Sequence, residues 1–257
     1  MDEQEVTTEE TTTGETAPRE ATTWAKPVGK LAVPEAPAGT KNINVDGRQL
    51  SGPLQGFGQM WQKSFKIRLE GVDSTPEQVM EAWKARFPEF QPPENRFYPT
   101  MSEITPGEVL LIEAKVPPFP GMPSMLPVAT GVMVLYADEE SFTVMCPEGH
   151  PLSGWNTFSV YDDDGTLVAM VQEQSRASDP FYEFFFRVLG SSNQQDKIWE
   201  HVLTSLAADY GVSSEVTLEK TLLDPSVRWS GAKNIWNNAG IRTIVYVLAA
   251  PIRWIRR

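Results

Sequence analysis

Residues 130–176, TGVMVLYADEESFTVMCPEGHPLSGWNTFSVYDDDGTLVAMVQEQSR, decide the fold. Thr130 to Tyr136 is apolar on both phases, as a central strand must be when each face of its sheet is covered. Ser141 to Cys146 returns after Asp138-Glu139-Glu140. Trp155 to Tyr161 and Thr166 to Gln174 then form a hairpin around Asp162-Asp163-Asp164-Gly165, whose glycine accepts the positive φ of a tight turn. Short connections between successive strands make the sheet antiparallel. The acidic turn is not a helix-loop-helix calcium site, which requires glycine at its sixth position; counting from Asp162, Leu167 stands there.

Upstream, Ser64 to Glu70 alternates apolar and polar residues, the signature of a half-buried strand. A helix follows, with Ser74 or Thr75 as its cap and Pro76 in the first position. Val79, Ala82, Trp83 and Phe87 recur on one face of it, and Pro88 ends it. Residues 91–107 read as irregular, up to a strand over 108–116, and 117–127 is irregular again. Downstream, Asp179 caps a helix that starts at Pro180 and presents Phe181, Phe184, Phe185, Val188 and Leu189. Gly190-Ser191-Ser192 interrupts it. A second stretch, Asn193 to Tyr210, sets Ile198, Trp199, Val202, Leu203 and Leu206 on one side, and strand-like residues 214–223 follow. The class is therefore α+β: a curved antiparallel sheet gripping a long C-terminal helix, which buries all of these faces together.

Charge is unevenly spread over the 257 residues, whose formal total is −12. Residues 1–22 carry seven acids and one Arg, and residues 228–257 carry six Lys or Arg and no acid. An acidic body disfavours nucleic acid as a partner. Residues 1–45, rich in Thr, Glu, Pro and Ala, are expected to form a disordered acidic tail. Residues 46–225 then form the folded domain and 226–257 a basic, apolar helical extension. The acidic N-terminus has no apolar run and is no secretory signal, and the single cysteine, Cys146, fits a reducing compartment as a packed thiol. A cytoplasmic location is the expectation.

Gly149-His150-Pro151, then Ser153-Gly154 and Phe158, Gly165-Thr166 and Ser175-Arg176, resemble the central motif of the family called domain of unknown function nineteen-ninety. With the element order, the resemblance extends to the START-like (SRPBCC) helix-grip superfamily and covers about residues 55–255. It implies a cavity between sheet and helix and the binding of an apolar small molecule or lipid; some START-like proteins are cyclases or hydrolases.

His150 is the one catalytic candidate, a loop histidine with Ser153 three residues on. No complete set of nucleophile, base and orienting acid is legible, no metal-ligand spacing appears, and no cofactor is expected. The same two residues equally serve to tie down a tight turn. His150, Ser153, Trp155, Met133, Met145, Met170, Trp199 and Phe185 are the expected ligand-binding residues, soft or aromatic groups suited to a permissive wall, with Trp83 of the same type. His201 falls on the amphipathic helix and reads as structural.

At the C-terminus the apolar stretch from Thr243 to Ile252 is about half the ~20 residues that a membrane-crossing helix needs. Two readings stay open. In one, Ile244, Val247 and Leu248 pack back on the domain; in the other, Arg242, Arg253, Trp254, Arg256 and Arg257 hold the end on an anionic lipid surface. The expected function is a non-catalytic carrier of an apolar molecule. The alternatives are an enzyme using His150 and a membrane-peripheral protein.

Overall fold

A computed structural model describes residues 21–99, 104–116, 125–188 and 191–250. The first strand, β1 (Met60–Leu69), buries Phe65, Ile67 and Leu69 on one phase. Helix α1 (Pro76–Ala85) starts at Thr75, whose hydroxyl accepts from the Gln78 amide while the Gln78 side chain accepts from Thr75 N–H, a reciprocal capping box. A short 3-10 turn, Phe87–Phe90, leads to β2 (Asn95–Pro99). This strand lies where irregular chain was expected. Pro99 at its end and Pro92-Pro93 before it disguise it, yet an edge strand tolerates proline because one side of its backbone has no ladder to serve.

Next come β3 (Val109–Val116), β4 (Leu126–Ala137), β5 (Ser141–Met145), β6 (Leu152–Asp163) and β7 (Thr166–Ala177). Helices α2 (Pro180–Val188) and α3 (Ser191–Asp209) follow, then β8 (Thr217–Asp224), a 3-10 segment (Trp229–Asn237) and α4 (Ala239–Leu248). All strands join one eight-stranded antiparallel sheet in the order β2-β3-β4-β5-β6-β7-β1-β8. This is a helix-grip fold: the sheet curves, and α3 closes its concave side by burying Trp199, Val202, Leu203 and Leu206 in the core.

The convex face is covered as well. Leu31, Val33 and Val45 are buried there with Val109, Leu111 and Met133, and the Trp24 ring lies 4.7 Å from Tyr136. Leu31, Val33, Asn44 and Val45 of the expected solvated tail are therefore buried on the domain, while Lys26 to Lys30 are exposed. So few aliphatic residues carry no helix or strand period; what orders them is the apolar outer phase of β3 and β4. Residues 1–20 of the expected tail lie outside the described residues.

Strand β5 is short and pairs only with the end of β4, from Met133 onward. The strand edge left open upstream is satisfied by side chains. Ala129 N–H donates to Thr243 Oγ1 (3.1 Å), and Asn44 Nδ2 donates to Ala129 O (2.8 Å), so α4 fills the place of absent ladder partners. Asn238 caps α4 and also donates to Asp179 Oδ2 (2.8 Å), joining it to α2. The start of α4, at Ala239, Gly240 and Thr243, thus packs on the domain, with Ile244 half-buried, while Val247 and Leu248, which one reading packed back on the domain, are exposed. Arg253, Trp254, Arg256 and Arg257 lie outside the described residues.

Candidate functional site

Beneath β3 and β4, between the concave face and α2, a cavity of about 480 Å³ remains, within the range of small-molecule sites. Ile112, Val128 and Val132 form its sheet wall, Phe181, Phe185 and Trp199 its helix wall, and Gly240 and Ile244 of α4 close one end. The rim carries the exposed Glu94, Lys115 and Lys197. Its neighbours explain why the space stays open: α1 packs against β6, and the small side chains of Ala114 and Thr130 face into the gap.

His150, Trp199 and Phe185 all line this cavity. The His150 ring is set by its own loop, where Leu152 N–H donates to Nδ1 at 3.0 Å. Nδ1 also lies 3.2 Å from Leu152 O, so the same loop serves the ring as donor or as acceptor according to its tautomer. Burial pushes its pKa down to about 4, against a smaller opposing effect of the Leu152 backbone. Ser153 is fully buried and its Oγ lies 2.8 Å from Ser51 Oγ. It is therefore engaged away from the imidazole, and no carboxylate bonds His150 among the described residues. His201 is exposed on α3.

Met133, Met145, Met170 and Trp155 do not line the cavity. Met133 pairs with Met145 and Met145 with Trp155 in register, and all three stand on the outer phase of the sheet. Met133 belongs to the small convex core, and Met145 and Trp155 lie beside Gly52. Met170 pairs with Lys66 and Ser159 on that same phase. Strand parity is the reason: Phe158 points inward, so Trp155, an odd number of residues away, points outward. Trp83 is buried in the filled core, edge-on to Phe158 at 5.6 Å.

The polar residues of the site escaped the sequence reading. Glu173, on the inward phase of β7 and 1 % exposed, accepts from Ser175 Oγ (2.8 Å), Gln195 Nε2 (2.6 Å) and Trp199 Nε1 (3.2 Å). Lys63 Nζ lies 3.7 Å from Glu173 and 2.8 Å from Asp196 of α3. This buried network holds Gln195 and Trp199, two of the cavity-lining residues of α3, against the sheet. Burial, and then the Glu173 charge, push the Cys146 thiol pKa up, so it is an inert packed group. Thr130 and Asn156 also line the cavity, and their Oγ1 and Oδ1 atoms, buried in its wall, have no hydrogen-bond partner among the described residues. The available signal was a polar residue on an otherwise apolar inward phase, at 130, 156 and 173.

Glycine explains the central motif. Gly149 has φ +88°, and a Cβ there would lie 2.0 Å from Asn237 O, while its own carbonyl accepts from Ala239 N–H at 2.8 Å. At Gly154 a Cβ would meet Gln174 O at 2.2 Å. Arg176, 2 % exposed, donates to Gly58 O (2.8 Å) and Ser226 O (3.1 Å) and pairs with Asp224. The motif thus seats the C-terminal segment at one end of the cavity.

Among the described residues no helix is long and apolar enough to cross a membrane. No protein-family model and no curated protein matches the chain. Among solved structures it is similar to the KanY protein, with 12 % identity and a TM-score of 0.44 over 60 % of this chain and 99 % of that one. The di-domain ARO/CYC StfQ from the steffimycin biosynthetic pathway gives 8 % and 0.45 over 60 % of this chain and 53 % of that one. Major latex-like protein 151 from Panax ginseng gives 10 % and 0.39 over 60 % and 99 %.

Proposed function

We propose that the protein binds an apolar small molecule in the cavity between sheet and helix and holds it without chemistry. The observation that carries this reading is the cavity itself, about 480 Å³ walled by aliphatic and aromatic side chains from β3, β4, α2 and α4. His150 serves as a neutral wall residue in this reading, because Ser153 is bonded to Ser51 and no acid bonds the imidazole among the described residues. Phe185 and Trp199 face the ligand with it. The motif from Gly149 to Gly154 supports kinship with the domain-of-unknown-function family nineteen-ninety, and the lone buried cysteine suits a cytoplasmic setting.

A native mass spectrum of the full chain, purified under mild conditions, tests the proposal. The expected result is an adduct that is lost on denaturation, or uptake of an added fluorescent apolar probe. A bare mass together with no probe uptake contradicts it.

A second reading, that lipid is the source of the ligand and the protein docks on it, is favoured by α4. Val245 and Leu248, beside the cavity-lining Ile244, are 59 % and 72 % exposed. Arg242 contributes little to such docking while its Nε donates to Asn44 Oδ1 at 2.9 Å. Co-sedimentation with anionic vesicles that persists after Val245→Ser and Leu248→Ser would reject it.

A further inference from the structure

The charges at the rim of the cavity narrow the class of ligand. We infer that the ligand carries an anionic group, held at the mouth between Lys115 of β3 and Lys197 of α3 while its apolar body fills the cavity. The inference rests on the reading of the cavity as a ligand site.

An ionised group does not follow an apolar body into a space of this kind, because a charge buried without a partner is strongly unfavourable. The walls are aliphatic and aromatic, and His150 among them is uncharged at neutral pH, its pKa held down to about 4 by burial. A charged end of the ligand therefore stays at the mouth, in reach of water. The charged residues that line the cavity are Lys115, Lys197 and Glu94, and all three are exposed.

The two lysines come from opposite walls, and neither forms an ion pair with an acid among the described residues. Of the other strand lysines, Lys63 and Lys220 pair with Asp196 and Lys66 pairs with Glu219. Glu94 stands across from Lys115, whose N–H donates to its carbonyl at 2.9 Å, yet the two side chains form no ion pair. The mouth thus sets two cations against one acid. On a chain with a formal charge of −12 this reverses the average surface, and it gives an anion a local attraction that the rest of the molecule denies it.

The test loads the full chain with uncharged, fluorescent phenylnaphthylamine and displaces it at neutral pH with decanoate, decanol or decyltrimethylammonium, which share an apolar chain and differ at the head. The parent chain is expected to bind decanoate more tightly than decyltrimethylammonium. Lys115→Gln and Lys197→Gln are each expected to weaken decanoate about threefold, the size of an exposed ion pair, and to leave decanol unchanged. Lys197→Arg, which keeps the charge, is expected to keep the parent affinity, and Glu94→Gln to strengthen decanoate about twofold. Unchanged decanol displacement shows that the cavity of each variant is intact. If the lysine substitutions leave the ratio of decanoate to decanol affinity unchanged, or if decyltrimethylammonium is preferred, the inference fails and the apolar cavity reading stands. If the probe is not taken up, or if none of the three molecules displaces it from the parent chain, both fail.

Discussion

One concave surface meets two fates. Under β1, β6 and β7 the inward residues Phe65, Ile67, Leu69, Val160 and Val171 are buried against α1 and α3. At the border with the other half Phe142 and Phe158 stack at 4.5 Å, and Trp199 meets Phe158 edge-on at 5.5 Å, both Phe158 and Trp199 also lining the cavity. Under β3 and β4 the inward residues are just as apolar, yet a cavity of about 480 Å³ remains. The difference lies in what crosses each half. α1 packs on β6, whereas α2 and the start of α4 bridge β3 and β4 around a space. Apolar residues are needed in both halves; the placement of helices decides which half is solid.

The largest expected effect comes from emptying the solid half. Phe65→Ala removes a fully buried ring that does not touch the cavity and is expected to cost about 3–5 kcal/mol in urea denaturation. Val132→Ala, on the open half, is expected to cost under about 2 kcal/mol. Equal losses would erase the distinction. Next is the joint that closes the cavity's end. Gly149→Ala forces a Cβ to 2.0 Å from Asn237 O at a backbone angle of φ +88°, and a loss of about 1–3 kcal/mol is expected. Amide exchange should quicken first in α4; uniform quickening across the sheet would show that α4 is not a separable closure.

Filling the open half sharpens the contrast. Val132→Trp is expected to change stability by under about 1 kcal/mol while abolishing uptake of a fluorescent apolar probe, whereas the same bulk at Leu69 overpacks a full core at about 1–3 kcal/mol. The smallest effect is the titration of His150 at the cavity wall. Its folded pKa of about 4 lies below the ordinary 6.5, so the unfolded chain binds the extra proton first. The stabilisation is fully present above about pH 6.5 and is lost as pH falls toward 4. An NMR titration of the His150 ring with a midpoint near 6.5 would show that the ring is solvated and the cavity end open.

Much of this architecture is legible in local chemistry. The alternation from Ser64 to Glu70 and the Asp162 to Gly165 turn mark strands whose neighbours the fold retains, and the caps at Thr75 and Asp179 do bind their helix amides. What escapes are features that depend on distant partners. β2 exists because an edge beside β3 accepts prolines. Residues 24–45 are ordered by the outer phase of β3 and β4, and α4 by a gap that a short β5 leaves. The site divides in the same way. His150, Phe185 and Trp199 face the cavity, but residue type alone grouped them with Met133, Met145, Trp155 and Met170, which strand parity turns outward. Thr130, Asn156 and Glu173 carry the polarity of the concave face, and only their phase distinguishes them from ordinary surface residues.

The central claim, that one half of the concave face is solid and the other holds a ligand, is tested most directly by methyl NMR with an added anilinonaphthalene sulfonate. The expected result is shift changes confined to Ile112, Val128, Val132 and Ile244, with Ile67, Leu69 and Leu203 unmoved. Changes spread evenly over both sets, or confined to the second, would contradict it.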